Sequence, residues 1–253
     1  MNLNKLTTQP THTPGDTRPA VQPKKIGPAP TDPKLFTDNP TLTQLSHTAQ
    51  SCGLPPAGLL GAVLARATAE ADKQWYLPPI IGNESSPLSL YICLAGEPGA
   101  GKSQCISTAR NLMTQQQLTA INITDKMPSS GPGFVSMFGE MEAQYDTNGK
   151  KTGKSRFVQT EHTALLEADE LDNLLAIKGR ENLRLGPVLR TAWSGANLGD
   201  WGTTEDRRRH LKRPYRVSIV AGGQPTLAGQ MLTPDSKRIG DAARWIFLPL
   251  QDP

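Results

Sequence analysis

One segment of the sequence carries residue types spaced for phosphate chemistry: GEPGAGKS, residues 96–103. It fits G-x-x-x-x-G-K-[ST] at every fixed position. The glycines let consecutive backbone N–H groups turn inward around a phosphate, and the helix that starts there adds the positive end of its dipole. Its lysine supplies a point charge to the β- and γ-phosphates, and its serine hydroxyl is a Mg²⁺ ligand. We therefore predict ATP and Mg²⁺ binding by Gly96, Gly99, Ala100, Gly101, Lys102, Ser103 and Gln104.

A second segment, NGKKTGKSR at 148–156, contains the same G-K-S letters. Its first glycine position is occupied by Asn148, and no apolar strand precedes it. The favoured interpretation is a solvated basic hairpin tip. The alternative is a loop that contacts nucleic acid through Lys150, Lys151, Lys154 and Arg156.

Hydrolysis also requires carboxylates beside the phosphate loop, and TALLEADE (163–170) supplies two of them directly after an apolar run. We predict that Asp169 binds the Mg²⁺ ion and that Glu170 is the general base. Glu167 is a less favoured base, because it lies one step short of the strand end. The alternative for the pair is helix capping at the start of ELDNLL.

Two residues further along the chain extend the predicted site. Gln224 follows a buried strand directly, where a polar side chain in motor ATPases senses the γ-phosphate and orients water. Its alternative is a loop residue that opens a turn. Arg244 is a candidate arginine finger for the nucleotide of a neighbouring subunit, with Arg238 the second choice. The alternative for both arginines is a solvated or ion-paired side chain.

Apolar runs that alternate with helical patterns indicate how these residues are positioned. Strands are predicted at LSLYICLA (88–95), TAINIT (119–124), TALLEA (163–168), VSIVAG (217–222) and RWIFLPL (244–250). Helices are predicted within 54–76, after the phosphate loop, within 132–144, from Glu170, and over 186–194. The fold class is therefore α/β, a P-loop NTPase with a mostly parallel sheet covered by helices on both faces.

The composition divides the chain into a tail and a domain. Residues 1–50 hold eight prolines and ten threonines and show no apolar period. We therefore expect a disordered tail over 1–45, because such a segment cannot bury enough apolar surface to offset its chain entropy. The P-loop NTPase domain is expected over 46–253, with a helical lead-in (46–82) and a nucleotide-binding core (83–253).

Charge and cysteine usage narrow the function classes. The net charge is +4, which does not by itself indicate a nucleic-acid partner. The cysteines Cys52, Cys93 and Cys105 form no disulfide framework, as expected in a reducing cytoplasm. The start of the chain has no apolar signal core, and the longest apolar stretch is interrupted by Arg66. We expect a soluble cytoplasmic protein without a membrane segment.

Beyond these patterns, the chain resembles a family of P-loop ATPases of actinobacteria, their phages and mobile elements, related to the helicase-like part of phage primase–helicases. The matching segments include GLPPAGLLGAVLARA, GEPGAGKS, SSGPGFVSMF, LLEADELDNLLA, LRTAWSGANLGDW and RPYRVSIVAGGQP. The resemblance implies a RecA- or AAA-like core and a role in replication of a mobile element. Relatives usually continue past RWIFLPL, so we expect a truncated or isolated motor domain.

Three functions remain open from the sequence. The first is an oligomeric DNA-translocating ATPase that acts on single-stranded or forked DNA. Its expected phosphate contacts are the cations of the 205–216 run: Arg207, Arg208, Arg209, Lys212, Arg213 and Arg216. The alternative is a regulatory switch or assembly ATPase, and the third is a small-molecule phosphotransferase whose lid is the same run.

Overall fold

A computed structural model of the chain describes residues 33–79, 83–114, 122–124, 128–171, 185–200 and 208–250. Two short 3₁₀ helices lie at Pro33–Phe36 and Ala242–Arg244. The α-helices are α1 (Pro40–Ser51), α2 (Pro56–Glu70), α3 (Lys102–Thr114), α4 (Gly131–Ser136), α5 (Leu185–Trp193), α6 (Pro225–Gln230) and α7 (Pro234–Arg238). The strands are β1 (Tyr76–Leu77), β2 (Ser86–Pro87), β3 (Leu90–Ala95), β4 (Asn122–Thr124), β5 (Gly139–Tyr145), β6 (Lys151–Gln159), β7 (Thr163–Ala168), β8 (Leu198–Asp200), β9 (Arg209–Leu211), β10 (Arg216–Gly223) and β11 (Trp245–Pro249).

The central element is a five-stranded sheet in the order β11-β3-β10-β7-β4. All of its strand pairs are parallel, and all five strands coincide with predicted apolar runs. Strand β4 follows β3 and α3 in sequence but lies at the far edge of the sheet. Strand β10 is inserted between β3 and β7. The predicted α/β class with a parallel sheet is confirmed.

Helices cover both faces of this sheet. On one face, α2 and α3 pack on alternate strand residues, among them Ile92, Leu94 and Leu165. On the other face, α4 and α5 cover the intervening strand residues, such as Tyr91 and Leu166. In β3, β7 and β10, burial on both faces explains why the strands are continuous apolar runs rather than alternating ones. None of the described helices is long and apolar enough to cross a membrane.

Helix α2 forms where it is predicted. Apart from Leu59 and Arg66, its buried residues are glycines and alanines, and Leu64 is 44% exposed. A Cβ on Gly61 would lie 3.3 Å from Cγ2 of Ile92 and would overlap the side chain of Leu248. The helix therefore approaches the sheet more closely than a leucine face allows.

The folded region begins before residue 46. Helix α1 starts at Pro40, and the Asn39 side chain caps it by accepting hydrogen bonds from the N–H groups of Thr41 (2.9 Å) and Leu42 (3.3 Å). Ala49 is buried against the core formed with α2 and α3. The predicted tail boundary thus falls inside a helix, whereas residues 1–32 lie outside the described part of the chain.

The predicted helix within 132–144 is mostly wrong. Only its first part is helical, as α4, and from Gly139 the chain runs as strand β5. This strand pairs with β6 in an antiparallel hairpin that places Met141 opposite Phe157. The cross-strand partners decide the conformation, and they lie outside any local sequence window. The predicted exposed hairpin tip around Asn148 is confirmed.

Most of the predicted helix from Glu170 falls in 172–184 and lies outside the described residues. The same holds for Arg207 in the basic run. The predicted helix over 186–194 is confirmed as α5.

Arg216, one of the expected phosphate contacts, is a buried structural residue. Only 1% of it is exposed. Its guanidinium donates hydrogen bonds to the carbonyl oxygens of Thr68 (2.7 Å) and Ala71 (2.9 Å) at the end of α2. These carbonyls belong to the helix terminus, where a cation is favourable. The expectation that Arg216 contacts nucleic acid is wrong, because its guanidinium is buried and binds carbonyl groups at the C-terminal end of α2.

Arg213 is exposed, but its guanidinium contacts neighbouring parts of the fold. Its guanidinium donates to the Ser85 carbonyl oxygen (3.0 Å) and lies over the ring of Tyr76. Lys212 of the same run is exposed.

We expect Arg216→Ala to lower the free energy of unfolding by about 3 kcal/mol, because several buried carbonyl groups lose a charged donor. Urea denaturation measures this loss. Lys212→Ala is the matched control, and we expect a change within about 0.5 kcal/mol at that exposed position. If the Arg216→Ala protein were as stable as the wild type and bound DNA more weakly, the structural role would be contradicted and a nucleic-acid contact by Arg216 supported.

Candidate nucleotide-binding site

A cleft of about 170 Å³ opens at the carboxyl ends of β3, β7 and β10. The chain leaves β3 into α3 on one face of the sheet, and it leaves β10 into α6 on the other. Divergence of this kind produces the crevice in which open α/β sheets bind ligands. The cleft is lined by Pro98, Lys102, Ser103, Asp169, Glu170, Leu171, Gly222, Gly223 and Gln224.

The loop after β3 leads directly into α3 and contains two glycines with positive φ. Gly99 and Gly101 have φ values of +88° and +79°, a region that favours glycine. Helix α3 begins directly at Lys102, so its first free N–H groups face the loop. The Lys102 Nζ donates hydrogen bonds to the carbonyl oxygens of Gly96 (2.7 Å) and Glu97 (2.8 Å). The ammonium is therefore held within the curve of the loop.

Close approach at the end of β10 brings the loop and the acidic residues together. A Cβ on Gly222 would lie 2.5 Å from the carbonyl oxygen of Asp169 and 3.3 Å from Cβ of Lys102. The N–H of Gly96 also donates to the carbonyl oxygen of Gly223 at 2.9 Å. Glycine at the end of β10 is thus required for β7 and α3 to meet at the cleft.

The structure brings most of the predicted site residues to this cleft. Lys102, Ser103, Asp169, Glu170 and Gln224 all line it, although they come from three separate segments. The side chains of Asp169 and Glu170 are exposed to the cleft rather than buried in the strand. Gln224 precedes α6 and makes no capping hydrogen bond of its own.

Other predicted binding residues lie around the cleft. Ala100 packs partly against the helical core, and Gln104 is exposed in the first turn of α3. Arg244 lies elsewhere, where its Nη1 donates to the Gly240 carbonyl oxygen (2.6 Å) and its guanidinium stacks over Trp193. Arg238 is exposed on α7. Action of either arginine on a neighbouring subunit stays a prediction.

A buried ionic cluster behind the cleft was missed by the sequence analysis. Glu167 accepts a hydrogen bond from Nη2 of Arg66 on α2 at 2.6 Å. Its second carboxylate oxygen accepts from Nε (3.1 Å) and Nη2 (2.6 Å) of Arg110 on α3. The Glu167 side chain is 4% exposed. Glu167 is therefore a structural residue whose carboxylate is occupied by two guanidinium groups.

The cluster extends to Glu70, which lies 3.6 Å from Arg66 one helical turn along α2. Burial raises the pKa of Glu70, and the neighbouring Arg66 opposes the increase. The Arg66–Glu70 pair has the local i,i+4 spacing, but no local signal joins Glu167 to Arg66 or Arg110, because these partners are far apart in sequence.

The thiol of Cys93 lies under the cleft floor, where a Cβ on Gly223 would lie 3.3 Å from its Sγ. Burial raises the pKa of this thiol to about 12, against the opposing effect of Lys102. Cys93 therefore stays protonated near neutral pH and acts as an apolar packing group.

The donor set fits Mg²⁺ held together with a phosphate. Among the described residues, no group of three or more His, Cys, Asp and Glu side chains is placed to hold a metal ion. Mg²⁺ does not require one, since it commonly uses one or two protein oxygens together with water and substrate phosphates. Ser103 and Asp169 supply a hydroxyl and a carboxylate to the same cleft.

Comparison with known proteins assigns no family. No protein-family model matches the chain, and no curated protein matches it.

Substitution of Glu167 tests whether the buried ionic cluster stabilises the fold around the cleft. We expect Glu167→Gln to lower the free energy of unfolding by about 3 kcal/mol, because Arg66 and Arg110 lose the buried carboxylate that they share. Chemical denaturation measures this loss. Glu142→Gln is the control, because it breaks the exposed Arg156–Glu142 pair (3.7 Å) and should change stability by less than about 1 kcal/mol. Equal losses in the two variants would contradict a structural role for the cluster.

Proposed function

We propose that the protein is a Mg²⁺-dependent ATPase whose active site is the cleft at the carboxyl ends of β3, β7 and β10. The observation that carries this proposal is the convergence of Lys102, Ser103, Asp169, Glu170 and Gln224 on one cleft. Each of these residue types has a place in phosphoryl transfer, and three separate segments must fold together to assemble them.

The residues of the loop would hold the triphosphate. Its glycines and the start of α3 direct backbone N–H groups at the phosphates, and Lys102 would exchange its two carbonyl partners for phosphate oxygens. Ser103 and Asp169 would hold Mg²⁺. When bound, the Mg²⁺–nucleotide supplies the electrophilic γ-phosphorus and a neutralising charge.

Glu170 and Gln224 would act on the attacking water. The carboxylate of Glu170 lies beyond the strand end, where it is open to solvent and able to accept a proton. Gln224 lies across the same cleft and would orient the water through its amide. Glu167 cannot take this part while two guanidinium groups hold its carboxylate.

We propose that the energy of ATP hydrolysis drives a helicase-like motor that acts on DNA in replication of a phage or mobile element. Its support is the resemblance carried by the segments around GEPGAGKS and LLEADELDNLLA. We expect a cytoplasmic homo-oligomer, as in that family.

The competing proposal is a regulatory or assembly ATPase without DNA translocation. The structural use of Arg213 and Arg216 favours it, because these cations are held by the fold. The same observation removes two of the arginines that a phosphotransferase lid would need. ATP turnover with and without single-stranded DNA separates the motor from the switch, because only the motor is stimulated.

Lys102→Ala should abolish ATP binding and hydrolysis, because the loop loses its phosphate-facing cation. Lys154→Ala is the matched control from the second G-K-S segment, and it should retain both properties. Fluorescent-nucleotide titration and phosphate release measure them. The proposed site is wrong if the two variants exchange these behaviours.

Glu170→Gln should bind ATP and hydrolyse it at least about 100-fold more slowly, because an amide cannot accept the proton. Asp169→Asn should instead weaken Mg²⁺-dependent nucleotide binding. Single-turnover hydrolysis and Mg²⁺ titration distinguish these effects. Normal turnover in Glu170→Gln would require another base.

A further inference from the structure

The β5–β6 hairpin is a two-stranded ribbon that is largely exposed to solvent. From Glu140 to Arg156 only Gln144 and Ser155 are partly buried. An isolated hairpin is marginally stable in water, so this ribbon depends on its base. At the base, Gln159 bridges to Lys212 by accepting from its N–H (2.9 Å) and donating to its carbonyl oxygen (3.1 Å). The ribbon is therefore anchored at one end and presents its tip to solvent.

The tip has a defined conformation despite its exposure. Gly149 has a φ of +76°, and the carboxylate of Asp146 accepts hydrogen bonds from the N–H groups of Asn148 (2.9 Å) and Lys150 (2.8 Å). The register also shifts between Ala143 and Tyr145, and such an irregularity increases the twist of a ribbon. Asp146 is thus part of the turn, and the cations around it are displayed on an ordered scaffold.

Three lysines at this tip are free of acidic partners. Lys150, Lys151 and Lys154 are exposed, and within the described residues none of them forms an ion pair with a carboxylate. In contrast, Arg156 is paired with Glu142 at 3.7 Å. Residues 145–155 contain these three lysines and a single acidic residue, Asp146, whose carboxylate already accepts hydrogen bonds in the turn. A surface of this charge is complementary to a polyanion.

An exposed aromatic ring accompanies these cations. Tyr145 is 59% exposed and lies directly across the ribbon from Lys151. An aromatic ring beside lysines is the combination that single-stranded DNA requires, because bases stack on the ring while the cations pair with phosphates. An acidic protein surface would use the lysines but would have no particular need of the ring.

We propose that the tip of the β5–β6 ribbon binds single-stranded DNA, with Lys150, Lys151 and Lys154 on the phosphates and Tyr145 stacked on a base. This inference rests on the proposed function, since it names the DNA-contacting surface of that ATPase. It adds a contact to those expected of the 205–216 run, in which Arg216 is buried and the guanidinium of Arg213 donates to the Ser85 carbonyl oxygen.

The test is fluorescence anisotropy of a labelled single-stranded oligothymidylate with the full chain at low salt, without nucleotide. We expect K150A/K151A/K154A to lower affinity at least tenfold and to flatten the log–log salt slope by about two, at roughly 0.7 per lost contact. The matched control is K34A/K73A/K237A, which removes the same charge from three exposed lysines outside both basic segments and should keep both quantities near wild type.

Two further variants separate stacking from charge. Tyr145→Ala should weaken oligothymidylate binding about tenfold, and Tyr145→Phe should restore it, because the stacking face is retained. Binding of heparin, a polyanion without bases, should fall in the lysine variant but not in Tyr145→Ala. Unchanged thermal midpoints establish that all variants are folded.

The proposal is overturned if the wild type does not bind the oligonucleotide, or if the charge-matched control loses as much affinity as the tip variant. It is also overturned if Tyr145→Ala binds normally, or if duplex DNA binds as tightly and with the same response to these variants. Absent ATP hydrolysis with intact, tip-dependent DNA binding would instead reject the proposed ATPase and leave the DNA-binding surface in place.

Discussion

The geometry of the cleft depends on the ion pairs that the buried Glu167 carboxylate forms with Arg66 and Arg110. Glu167 lies on β7 two residues before Asp169 and binds one guanidinium from α2 and one from α3. The same two helices also pack on Leu165 of β7. A buried anion with two cations is sensitive to separation, because any movement leaves a charge without compensation. The cluster therefore fixes the position of the loop helix relative to β7.

Small residues set the second constraint, which is distance. Gly61 lets α2 approach the sheet, Gly58 lets it approach α3, and Gly222 lets the end of β10 pass between Asp169 and Lys102. At the strand ends, this close approach makes the five predicted site residues neighbours. The absence of a side chain at these glycines thus brings groups that are distant in sequence into contact.

The features that could be predicted from the sequence are those that depend on residues close together along the chain. GEPGAGKS and the apolar strands are local patterns, so the loop, the parallel sheet and the position of Asp169 and Glu170 could be predicted. The conformation of β5 depends on pairing with β6, and the burial of Arg216 depends on the end of α2. The bond between Arg66 and Glu167 joins residues with no shared local signal. These features are decided by tertiary contacts, which a single sequence does not display.

The hydrogen bonds of Lys102 to the carbonyl oxygens of Gly96 and Glu97 have a consequence for selectivity. Lys102 already has two neutral acceptors, so an anion that binds this lysine must compete with them. A charged acceptor forms roughly twice as strong a hydrogen bond as a neutral one. Under the proposed function, the loop would therefore discriminate against weakly charged anions, which gain little by displacing the carbonyls, and would favour a polyphosphate, which gains more.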